Sequence, residues 1–136
     1  MMKHLYVTAL MILLTFPALA QKKAEKSYYE KALSEIESEN YEGAIADLNK
    51  AIAADSLHDA AYFKRGFVKA MLLDHQGALD DFNRAIKINP DDAQYYSERG
   101  VAKMHLKDRE GACADWKKAS SMGFQPAEEL AYEYCE

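Results

Sequence analysis

The chain predicts an all-α fold, a helical solenoid of three helix pairs in series with a short C-terminal capping helix. Three observations carry this. Small residues recur every 34 residues, at Gly43, Gly77 and Gly111, at Ala44, Ala78 and Ala112, and at Ala51, Ala85 and Ala119. Large residues recur with the same period, at Leu48, Phe82 and Trp116 and at Tyr28, Tyr62 and Tyr96. Asn40, Asp74 and Asp108, residue types that cap helix N-termini, coincide as well. A gapless period of this length marks stacked units, none of which buries its apolar face alone.

Composition bounds the function. The 136 residues, 49% of them hydrophobic, suit one domain with one modest core. A formal net charge of −5 argues against nucleic acid, whose phosphates need clustered Lys and Arg, and against anionic membrane surfaces. With only Cys113 and Cys135 present, one chain holds no four-thiolate metal site.

Residues 1–20 read as a secretory signal peptide. Lys3 gives a positive start, residues 5–16 are almost uninterruptedly apolar, Pro17 breaks the run, and Ala18-Leu19-Ala20 has the small-x-small pattern of a cleavage site. The run is shorter than the ~20 residues a membrane span takes. No cysteine follows Ala20, so the pattern is not that of a lipoprotein. The expected mature chain starts at Gln21, crosses the inner membrane and is periplasmic or associated with the cell envelope. Residues 21–24 are expected to form a frayed polar stub.

Three units follow. Residues 25–58 should hold helices near 26–38 and 41–54, residues 59–92 helices near 60–72 and 75–88, and residues 93–126 helices near 94–106 and 109–121. Small residues at Ala32, Gly66 and Gly100 let paired helices approach, and the large ones fill the space between pairs. Gly123 should stop the last repeat helix. Residues 126–136 form the capping helix, with Pro126 in its first turn, Glu128 and Glu129 near its N-terminus, and Ala127, Leu130, Ala131 and Tyr134 as an apolar stripe.

Tyr62, Gly66, Lys69, Ala78, Phe82 and Ala85 stand at the spacings of one known unit. Residues 59–92 resemble a tetratricopeptide repeat, and so do the windows on either side. The first unit departs with Ala32 where the others have glycine, and Ser56 and Phe124 stand where the second unit has Pro90. The resemblance implies a right-handed solenoid whose first helices line a concave face holding a peptide or a partner's helix.

Those positions are Tyr29, Leu33 and Ile36, then Phe63, Phe67, Ala70 and Met71, then Ser97, Val101, Met104 and His105. Part of the set must be core. The expected protein-binding contacts are Tyr29, Phe63, Phe67 and Met71, with Lys64 and His105 as polar contacts at the rim. Family members that grip a C-terminal carboxylate use Lys, Asn and Arg at such places. Tyr29, Leu33, Phe63, Phe67, Ser97 and Val101 stand here instead, so that clamp is absent. An apolar groove suits an apolar peptide or helix.

No residue set points to catalysis, a cofactor or a metal. His58, His75 and His105 lack metal-ligand spacing and read as solvated or half-buried surface. Lys31, Arg65 and Arg99 recur with Asp47, Asp81 and Asp115, which reads as structural ion pairing ahead of a ligand-facing charge ladder. If the capping helix packs antiparallel on its predecessor, Cys113 and Cys135 become neighbours, and an oxidising compartment would join them in a disulfide. The alternative is two unpaired thiols. The whole reads as an exported, non-catalytic protein-binding module. The alternative is a self-associating structural or assembly protein, a homo-oligomer with no foreign peptide ligand.

Overall fold

The computed structural model describes the backbone of residues 2–135 and the side chains of residues 17–135. Among the described residues seven helices follow one another: α1 (Met2–Glu37), α2 (Tyr41–Ala54), α3 (Asp59–Met71), α4 (His75–Ile88), α5 (Ala93–His105), α6 (Arg109–Ser121) and α7 (Gln125–Tyr134). α1 pairs with α2, α3 with α4 and α5 with α6 as antiparallel hairpins, and each pair packs on the next.

Local chemistry sets the helix starts. The side chains of Asn40, Asp74 and Asp108 accept the backbone N–H of Gly43, Gly77 and Gly111 at 3.3, 2.9 and 2.9 Å, filling a donor that helix geometry leaves free. The recurrent glycine has a steric reason. A Cβ at Gly77 or Gly111 would lie 2.1 Å from the capping carboxylate. The residue just before each of these caps lies in the left-handed region, Glu39 (φ 58), Leu73 (φ 66) and Lys107 (φ 68). Gly123 (φ 90) ends the third pair, as its sequence position suggested.

The small and large triples meet as expected. Leu48, Phe82 and Trp116 are fully or almost fully buried, and Ala44, Ala78 and Ala112 are inaccessible. A Cβ at Gly100 would come within 2.6 Å of Trp116 Nε1, which donates to the Ser97 carbonyl at 3.1 Å. The tyrosine triple has its own role: Lys50, Arg65 and Arg99 lie over the rings of Tyr28, Tyr62 and Tyr96 at 5.4, 5.5 and 5.4 Å.

Two expectations need correction. α1 continues as one helix through Pro17 and through residues 21–24, where a frayed stub was expected. Ala18, Ala20, Lys22, Lys23 and Ala24 favour helix. Gln21 Nε2 also donates to the Ala54 carbonyl at 2.7 Å, tying this turn to the end of α2. The signal-peptide reading of residues 1–20 concerns side chains that, up to residue 16, lie outside the described residues. Tyr134, placed in the apolar stripe of α7, is 41% exposed at the rim of that interface.

α7 covers the end of the third pair, with Ala127 packed on Ala112, Trp116 and Ala119. Cys113 and Cys135 form a disulfide with Cα atoms 5.6 Å apart. It closes a loop with a sequence separation of 22. On the chain-entropy model such a bond contributes about 3 kcal/mol. Reduction should therefore lower the urea midpoint clearly, with both thiols becoming open to alkylation. An unchanged midpoint would mean that helix packing alone holds α7.

Candidate functional site

α1, α3 and α5 stand side by side, and the face they share carries two depressions. One, of about 460 Å³, is lined by Lys22, Glu25, Lys26, Tyr29, Glu30, Leu33 and His58. The other, of about 190 Å³, lies between α3 and α5, with Phe67, Ala70, Met71, Phe82, Val101 and Ala102 as apolar wall and Glu98, His75 and His105 as polar wall. A wider depression of about 620 Å³ on the outside of α7 has walls from that one helix, mostly glutamates, and offers no enclosed surface.

The six residues expected to bind separate. Phe67, Met71 and His105 meet in the smaller cavity, Met71 being 51% exposed. Tyr29 lines the larger one, its ring 4.6 Å from that of His58. Phe63 does not reach the groove. It is 4% exposed, stacked on Tyr95 at 4.6 Å and packed against Phe82 at 5.6 Å. Phe63 belongs instead to the buried cluster with Phe82, Ala85, Ile86 and Tyr95, which joins the second unit to the third. Lys64 lies over the Phe63 ring at 5.9 Å and lines neither cavity.

The recurrent charges are architecture. Asp81 is buried and accepts from Arg65 Nε and Nη2 at 2.9 and 2.7 Å, and Lys69 Nζ lies 2.9 Å away. Asp115 holds Arg99 in the same fork, with Lys103 at 2.9 Å. Asp47 takes Lys31 and Lys50. The spare guanidinium N–H groups of Arg65 and Arg99 donate to Asn49 and Asn83 at 2.8 and 3.1 Å, so each ion pair also ties its unit to the preceding one. The Arg65 and Arg99 guanidinium groups are therefore committed to partners within the protein.

The histidines proved more structural than their spacing suggested. His58 caps α3, its Nδ1 accepting from the Ala61 N–H at 3.0 Å while Nε2 faces Glu25 at 2.5 Å. His75 and His105 stack face to face, with centroids 4.2 Å apart and planes at 3°. Neither belongs to the 34-residue register, so the repeat pattern held no signal for that pair. Glu98 was also missed. Burial alone pushes its carboxyl above the ordinary glutamate value.

Beside the larger cavity, Asp59 accepts from Asn89 and from the Tyr95 hydroxyl at 3.0 and 2.8 Å. Burial pushes the Asp59 carboxyl up, but those hydrogen bonds outweigh it and hold it below its usual value. Burial, then the Asp59 and Glu25 charges, push the Tyr29 phenol up. Among the described residues, no group of three or more His, Cys, Asp and Glu is placed to hold a metal ion.

No family model and no curated protein matches the sequence. Solved structures do match the fold. The first tetratricopeptide repeat domain of Spaghetti (RPAP3), bound to an HSP90 peptide SRMEEVD, aligns with a TM-score of 0.79 at 22% identity over 84% of this chain and 92% of that one. The second such domain of human RPAP3, in complex with the HSP70 peptide SGPTIEEVD, gives 0.77 at 20% over 88% and 98%. The Arabidopsis OM64 domain gives 0.76 at 21% over 84% and 98%. The chain is thus an all-α, tetratricopeptide-like solenoid.

Proposed function

We propose that the protein is an exported, non-catalytic module that binds a peptide or helix of a partner protein across the face shared by α1, α3 and α5. One observation carries this reading. The apolar side chains Phe67, Met71 and Val101 converge with exposed His105 on a preformed cavity, although nothing in the repeat architecture requires them to line open space. Likeness to solenoids solved with peptides of HSP90 and HSP70 supports a peptide as the kind of ligand. Those peptides end in acidic residues. This groove holds Tyr29, Leu33, Phe67 and Val101 where a carboxylate grip would need cations, so an apolar segment suits it better.

Export rests on the charge, apolar run and small-x-small site of residues 1–20. The mass of the protein recovered from the cell envelope tests it: a chain starting at Gln21 agrees, and intact residues 1–136 would not.

The partner is sought by pull-down from the envelope fraction with wild-type and Phe67→Ala baits. One protein retained by the first and lost with the second, at equal helix content, supports the groove. Equal retention on both baits counts against it. A second reading, self-association, is favoured by the exposed run Met71, Leu72 and Leu73, of which Leu73 is 77% exposed. Sedimentation separates the two, since a stable dimer supports the second.

A further inference from the structure

We propose that the cavity between α3 and α5 receives one basic side chain of the partner segment, best an arginine, with its aliphatic stem along Phe67 and Val101 and its cation against the Glu98 carboxylate. This rests on the groove reading and names the residue the groove selects.

The contrast among carboxylates leads to it. Asp47, Asp81 and Asp115 are buried, and each is met by two cations. Buried Glu25 faces His58. Glu98 sits half-buried in the wall of a largely apolar cavity, and among the described residues it has neither a hydrogen bond nor an ion pair. An ionised carboxylate withdrawn from water without a partner is unfavourable, and a guest cation removes that cost. The rise of its carboxyl under burial, with no charged neighbour contributing, agrees.

His75 Nδ1 in the same wall is buried and has no hydrogen-bond partner. A neutral imidazole nitrogen accepts one N–H, and a guanidinium has five to give, so an arginine has donors enough for both groups. Size agrees. About 190 Å³ is below the roughly 300–1,000 Å³ of pockets for drug-sized ligands, and matches a single side chain. Basic side chains also lay their methylenes on apolar surface while the head seeks charge. Exposed Met71 lines the cavity, and exposed Leu72 and Leu106 follow the lining residues Met71 and His105 in the chain, so the residues flanking the basic one are apolar.

The test uses the whole chain and three labelled leucine–alanine peptides that differ only at the centre, which is arginine, citrulline or glutamate. Fluorescence anisotropy should give the arginine peptide an affinity about tenfold above that of the citrulline peptide. Glu98→Gln should abolish that preference without weakening the citrulline peptide. Glu98→Lys should turn the preference towards glutamate. Glu128→Gln, on the outside of α7, changes the net charge equally and should leave the preference intact. Equal affinity for all three peptides, or an arginine preference that survives Glu98→Gln or is lost with Glu128→Gln, overturns the inference and leaves the groove standing. If no peptide binds, both fall.

Discussion

Asp81→Ala should lower the unfolding free energy by about 3 kcal/mol, as expected when one partner of a buried ion pair is removed. The Asp81 carboxylate is 4% exposed and is the common acceptor of Arg65 and Lys69. Removing it leaves two cations close together with no counter-charge. Arg65→Ala should cost less, about 1.5–2 kcal/mol, because Asp81 keeps Lys69. Total stability of a domain is only about 5–15 kcal/mol, so the first loss is a large part of it. Urea unfolding followed by circular dichroism decides. A loss below about 1 kcal/mol for Asp81→Ala would reclassify the fork as a solvated surface pair.

Asp47, in the first unit, sets an acid limit. The Lys31 hydrogen bond, opposed by burial, holds the Asp47 carboxyl below its ordinary value. A depressed carboxylate stabilises the fold above its unfolded pKa, and that contribution disappears as pH falls through the folded one. Stability should therefore decline on acidification and not on mild alkalinisation.

The period made the helix boundaries of the repeats legible because capping is local. Asn40, Asp74 and Asp108 each act on a backbone N–H three residues away, within one unit. The ion pairs were legible for a similar reason, since each recurs at fixed spacing inside its unit. Depth was not. Phe63 and Phe67 share one helical stripe, and whether a side chain enters the core or the groove depends on what the neighbouring unit leaves open. The contacts of Glu98, His75 and His105 join different units off the register, so no repeat-based comparison could bring them together. Gln21 meets Ala54 only once α2 has folded back on α1, a contact that no local pattern shows.

Phe63→Ala against Phe67→Ala separates core from groove. Phe63 is almost completely buried between Phe82 and Tyr95, and its truncation should cost about 3–5 kcal/mol through lost burial and the cavity left behind. Phe67 already borders open space in the cavity, so its truncation should cost roughly 1 kcal/mol or less, because less area returns to water and no closed void forms. Binding should respond in the opposite order. Phe67→Ala removes a contact surface from a folded chain, whereas Phe63→Ala affects a ligand only through the fraction of chain unfolded. Measured at a temperature where both variants are folded, a loss of affinity confined to Phe67→Ala fits a groove built on the inner helices. A loss confined to Phe63→Ala would mean that the second and third units must move apart to admit the ligand, and the preformed cavity would then be the wrong site.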